Sequence, residues 1–179
     1  MSLEIITVSG ASSGSGKTMI AERLLKTLKG WSALKVTVVH SGACPTGRDC
    51  GACEGLNSEY MIVSDKNKLD KKGKDTMRLK KAGARKVLWL KARPEGLKRG
   101  LKDAVSRFSA YGGKGTRGLV IEGTSILKHI KPALAIFVKR KNSALKPSAK
   151  EALSRADLVL TLPLRKDDFI KKKTSFSSL

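Results

Sequence analysis

Apolar residues recur along this chain in two periods, and the alternation of those periods predicts its architecture. Short apolar runs at Leu3–Val8, Val36–His40, Tyr60–Val63, Lys86–Ala92, Leu119–Ile121, Ala133–Val138 and Leu158–Leu162 each read as a strand. Between them lie helical stripes: Ile20, Ala21, Leu24, Leu25 and Leu28, then Met77, Leu79 and Ala82, then Leu97, Leu101, Ala104, Val105 and Phe108. Asp75 is placed to cap the second of these helices and Gly83 to close it, while Pro94 is placed to open the third. A shorter helix is expected over Ser148–Arg155. Most of the strand runs are continuously apolar, so both faces of the sheet should be covered. The expectation is an α/β fold with a mainly parallel sheet and helices on both sides.

Four stretches break the pattern. Ser41–Gly55 is rich in Gly, Cys and Pro and reads as an irregular insertion. Residues 66–74 have almost no apolar character and read as a basic, mobile surface loop. Gly112–Gly118 reads as a glycine-rich loop, and residues 166–179 as a basic, flexible tail to a single domain over residues 1–165. Glu4 and the loop that follows it interrupt the first apolar stretch, and no apolar run is long enough for a bilayer. The expectation is therefore no cleavable signal, no membrane and a cytoplasmic protein.

The most informative segment is Ala11–Thr18, Ala-Ser-Ser-Gly-Ser-Gly-Lys-Thr, set between the first strand and the first helix. Strand, glycine-rich turn and helix is the setting of a Walker A phosphate loop, and the fold expected from it is the three-layer P-loop NTPase sandwich. In such a loop backbone N–H groups converge on phosphate oxygens at a helix N-terminus. The nucleotide-facing set is Ser12, Ser13, Gly14, Ser15, Gly16, Lys17, Thr18 and Met19. Lys17 is expected to reach the β- and γ-phosphates, and the Thr18 hydroxyl to ligate Mg²⁺. Ala11 stands where glycine is usual, and it is small enough for the turn.

A P-loop enzyme also needs a carboxylate near Mg²⁺ at the end of a neighbouring strand. Asp65 and Glu122 both follow apolar runs and both qualify, as Mg²⁺ partners or as the group that positions water. Capping is the bland alternative for either residue. No Asn-Lys-x-Asp element marks guanine, so GTP and ATP both remain candidates. Backbone around Leu162 and Pro163, after the last strand, is the expected base contact.

Cys44, Cys50 and Cys53 are spaced C-x5-C-x2-C in the insertion. Three soft ligands around a Gly-containing turn suit Zn²⁺, with His40, Asp49 or a residue of a second subunit as the fourth. An iron–sulfur cluster is the alternative, and unliganded thiols with a redox-active Cys50/Cys53 pair are the bland one. His129 reads as an exposed helix residue.

Charge changes the picture of partners. The formal net charge is +22, with a pI near 10.3, and such a charge attracts polyanions. Aromatic residues make up only 4%, which argues against a stacking platform for single strands. The lysines are also spread widely, with peaks at Lys66–Lys81 and Lys171–Lys173. A solvated surface is the simpler reading, and Lys72, Lys74 and Arg78 are candidates to receive a phosphorylated substrate.

Taken in order, the phosphate loop, Gly73-Lys74-Asp75-Thr76-Met77-Arg78, Ala82-Gly83-Ala84 and Val120-Ile121-Glu122-Gly123 resemble the molybdopterin-guanine dinucleotide biosynthesis protein B (MobB-type) family. The likeness covers most of residues 3–138. It implies a small, usually dimeric GTP-binding protein with weak hydrolase activity. Such a protein would assist a client in attaching guanine nucleotide to the molybdenum cofactor. It further implies phosphate and Mg²⁺ roles for Lys17 and Thr18, a place for Glu122 beside the metal or the attacking water, and a working face holding Lys74, Asp75 and Arg78. The cysteine insertion and the Leu127–Pro132 segment depart from the family pattern and suit a sister branch with another client. Three other readings compete: a metal-carrier NTPase using the cysteines, a small-molecule kinase with Asp65 activating the acceptor, and a nucleic-acid binder without enzymatic activity.

Overall fold

The computed structural model describes residues 3–39, 55–109 and 116–163. The chain runs β1 (Glu4–Gly10), α1 (Lys17–Thr27), β2 (Ser32–Val38), β3 (Tyr60–Val63), α2 (Lys66–Leu69), α3 (Asp75–Lys81), β4 (Val87–Ala92), α4 (Leu97–Ser109), β5 (Gly118–Glu122), β6 (Leu134–Arg140), α5 (Pro147–Ser154) and β7 (Leu158–Leu162). One turn of 3₁₀ helix, Ser125–Lys128, follows β5. The strands form one seven-stranded sheet in the order β3-β4-β2-β5-β1-β6-β7. Every pairing is parallel except that of β3, which lies antiparallel against β4 at one edge. The chain is thus an α/β fold with a mostly parallel sheet and helices packed against it.

Strand alternation divides the core. Leu34, Leu90, Leu119, Ile121 and Phe137 point to one face, where Leu97, Leu101 and Phe108 of α4 and Ala149 and Ala152 of α5 cover them. Ile6, Val8, Ala33, Val120 and Val138 point to the other, against Ile20, Ala21 and Leu25 of α1 and Leu79 of α3. Parallel neighbours need crossovers, and helices supply them, so strands buried on both sides carry apolar residues almost continuously. The centre of the sheet, β2-β5-β1, brings the strand ends at Gly10 and Glu122 side by side. In open parallel sheets that edge is where ligands bind.

Several expected boundaries move. β2 begins at Ser32 rather than Val36, because the buried Ser32 and the inward-facing Lys35 disguise its first half. Within the expected loop 66–74, Asp65 caps the short helix α2 by accepting from the Lys68 N–H, and Leu69 is buried beneath it. Asp75 is the first helical residue of α3 and not its cap, which is Lys74. Pro94 lies in a turn before α4, which starts at Leu97, and α5 starts one residue early at Pro147. No described helix is long and apolar enough to cross a membrane. Cys44, Cys50, Cys53, His40 and Asp49, most of the Gly112–Gly118 loop and the tail at 166–179 lie outside the described residues.

Candidate functional site

The loop between β1 and α1 is closed by short contacts that only small residues allow. A Cβ on Gly10 would overlap the Ser15 hydroxyl and lie 2.8 Å from the Val138 carbonyl oxygen. Gly10 thus takes on the close approach usually met by the first motif glycine, and Ala11 follows it buried, donating its N–H to Val138 at 3.1 Å. Gly16 caps α1 at φ 99°, in the left-handed region, and a side chain there would strike Leu162 at the end of β7. The first turn of α1 carries no acidic residue and no side-chain cap. Its free N–H groups and the helix dipole therefore favour an anion.

Lys17 folds back over this loop and donates to the Ser12 carbonyl at 2.6 Å, with the Ser15 hydroxyl 3.5 Å away. Burial lowers its pKa, and neighbouring Lys35 adds to that effect against the pull of Glu122 and Asp75. Ser13 and Gly14 are exposed, Ser15 and Thr18 are buried, and Ser12, Gly16 and Met19 lie between. Arg140 reaches the loop from the end of β6, donating from Nε to the Gly14 carbonyl at 3.3 Å. Thr124 holds the other side, its hydroxyl donating to the Gly10 carbonyl at 3.2 Å.

Behind the loop sits a buried charge network. Glu122, only 1% exposed, accepts from the Thr18 hydroxyl on Oε2 at 3.1 Å and from Lys35 Nζ on Oε1 at 2.6 Å. Lys35 also reaches Asp75 Oδ2 at 2.7 Å. The sheet register explains the first of these pairs: Lys35 on β2 lies directly opposite Glu122 on β5. Burial is the largest influence on Lys35 and opposes its charge, but Glu122 and Asp75 outweigh it and raise its pKa. Burial likewise opposes the Asp75 charge, and the Lys35 ammonium outweighs it, holding Asp75 below the usual carboxylate range. The Thr18 hydroxyl is within reach of Asp75 as well. Arg78, one turn along α3, grips Glu22 of α1 through Nε and a terminal nitrogen at 3.0 and 2.8 Å.

The site residues expected from the sequence therefore separate into two groups. Lys17, Thr18, Glu122 and Asp75 converge. Asp65 does not: it follows an edge strand three ladder steps, about 14 Å, from the strand of Glu122, and its carboxylate is spent on the α2 cap. β3 also runs antiparallel, so it delivers Asp65 away from the strand ends that carry the loop. His129, just past the 3₁₀ turn, is exposed as expected. Lys35 was missed, although a lysine inside an apolar strand run is a signal in its own right, because buried lysines are almost always paired.

Whether Mg²⁺ suits this arrangement turns on the donors. Among the described residues no three His, Cys, Asp or Glu side chains group to hold a metal ion. A buried hydroxyl beside a carboxylate does suit an ion that takes one or two carboxylates and completes its shell with phosphate and water. No protein family, no characterised protein and no solved structure matches this chain.

Proposed function

We propose that this chain is a P-loop NTPase of the MobB type, which binds GTP or ATP with Mg²⁺ and hydrolyses it slowly. Its proposed role is accessory to assembly of a molybdenum or related metal cofactor, working as a homodimer with a client protein. The observation that carries the nucleotide reading is the meeting of Thr18, Glu122 and Lys17 at the N-terminus of α1, which no side chain caps. The cofactor role, the preference for GTP and the dimer rest on the family resemblance of the sequence.

In this reading the loop N–H groups and Lys17 hold the phosphates and offset charge that develops on them during transfer. Thr18 and Glu122 would hold Mg²⁺, which supplies further charge neutralisation between the phosphates. With Glu122 given to Mg²⁺ and Asp75 paired with the Lys35 ammonium, both carboxylates would be stabilised as anions and poorly suited to take a proton from water. Slow turnover without a partner follows from that shortage. The kinase alternative loses support because its acid, Asp65, serves as a helix cap.

Calorimetric titration of GTP and ATP with Mg²⁺, followed by phosphate release, tests the proposal. Lys17→Ala should weaken binding about a hundredfold, the loss expected when a hydrogen bond to a charged group is removed. Absence of binding by the wild-type protein to either nucleotide would sink the reading.

A further inference from the structure

We propose that Lys35 is a resident counter-cation of the nucleotide site, shared between Glu122 and Asp75, and that it gives up Glu122 and keeps Asp75 when Mg²⁺ and nucleotide bind. The inference rests on the nucleotide reading above. Its starting point is burial. A carboxylate as enclosed as Glu122 is costly to keep charged unless a cation sits against it, and Lys35 Nζ does so at 2.6 Å. Lys35 is itself mostly enclosed, with its side chain 17% exposed, so it has little water to retreat into. A second cation at Thr18 and Glu122 would have to share one carboxylate with this ammonium, and like charges a few ångströms apart repel strongly in such surroundings.

Asp75 gives Lys35 somewhere to go. Its Oδ2 is already 2.7 Å from Nζ, so Lys35 can leave Glu122 by a small swing without losing its counter-charge. Asp75 is also held in place from three directions. Arg78 clamps α3 to Glu22 of α1, the Thr76 hydroxyl donates to the Leu69 carbonyl at 2.6 Å, and Leu79 is buried against the sheet. Asp75 is therefore a fixed second seat, and Lys35 is the positioning residue that sets how much Mg²⁺ is needed before nucleotide is held tightly.

The test is the Mg²⁺ dependence of GTP and ATP binding, measured by calorimetry over a series of free Mg²⁺ concentrations and in chelator. Lys35→Gln removes the competing charge and should lower the Mg²⁺ midpoint about tenfold. Asp75→Asn removes the second seat and should raise that midpoint several-fold. In the Lys35→Gln background, Asp75→Asn should then have little effect, since Asp75 acts through Lys35. Unchanged midpoints, or shifts of both single variants in one direction, would overturn the inference while leaving nucleotide binding intact. A full Asp75→Asn effect that persists without Lys35 would also overturn it, because Asp75 would then act on the metal directly. Should Lys35→Gln fail to fold, an unchanged Asp75→Asn midpoint would still overturn the inference, and Lys35→Met would replace Lys35→Gln in the double variant. Absence of nucleotide binding by the wild-type protein at every Mg²⁺ level would instead remove the nucleotide reading, and the inference with it.

Discussion

Ile121 and Glu122 are consecutive on β5 and almost equally buried, at 0% and 1% exposure, yet they face opposite sides of the sheet. Ile121 enters an apolar cluster built with α4 and α5. Glu122 meets Thr18, Lys35 and, through Lys35, Asp75. Among the described residues the first face buries the hydroxyls of Thr7 and Ser32 but no charge, whereas on the other the apolar core around Ile6, Ala33 and Val120 gives way to charge at the strand ends. Desolvated charges demand partners, and a fold that needed only stability could replace them with apolar residues of similar size. Their presence on one face alone coincides with the proposed nucleotide site.

The comparison is sharpest where the two neighbours are changed. Ile121→Ala should destabilise the protein by about 3–4 kcal/mol through lost burial and a cavity. The nucleotide affinity of the folded molecules should stay as it was. Urea unfolding and calorimetric titration of the same sample check both halves. A large affinity loss in the refolded variant would mean that the two faces are not separable. Glu122→Gln should cost less, about 2 kcal/mol, since the amide keeps the shape but weakens hydrogen bonds to charged partners. Its larger signature should be a loss of the Mg²⁺ dependence of nucleotide binding, with affinity in chelator little changed.

Away from both faces, Asp65→Ala should remove only a helix cap, about 1 kcal/mol or less. Nucleotide binding and phosphate release should be untouched. A fall in either would restore Asp65 as a working carboxylate. The smallest effect concerns pH. Asp75 has a folded pKa below its ordinary value of 3.8, with burial opposing its charge and Lys35 outweighing burial. Its contribution is therefore present above that value and lost as pH falls through the lower folded pKa. Its side chain is 37% exposed, so the loss should be no more than about 1 kcal/mol after allowance for solvent. Unfolding curves of wild type and Asp75→Asn should converge as pH falls below that window, and parallel curves would remove the ion pair from the account.

Much of the fold was legible because burial on both faces writes itself as uninterrupted apolar strands. Val87–Ala92 and Leu119–Ile121 needed little more than that, and the edge strand Leu158–Leu162 is as apolar although Val159 is exposed. The glycine-rich loop between β1 and α1 was legible for a related reason, since glycines, Lys17 and Thr18 lie within one short stretch. β2 was legible only in its second half. A strand that carries Lys35 towards a partner 87 residues away looks, locally, like the end of a helix and its loop. Asp65 and Glu122 looked alike for the same reason: each is an acid after an apolar run. What separates them is the direction and place of the strand, and local composition encodes neither.

Local patterning therefore determined most of the strands and helices, where the loop lies and which residue types could meet phosphate. Each of these depends on interactions among near neighbours in the chain. Sheet order and register decided the rest. They placed Lys35 opposite Glu122, sent Asp65 to the far edge and brought Asp75 of α3 within 2.7 Å of the same ammonium. Such pairings are properties of contacts between distant segments, formed only when the whole core packs. Charge as deeply buried as that of Glu122 is tolerable only in the one arrangement that supplies its partners.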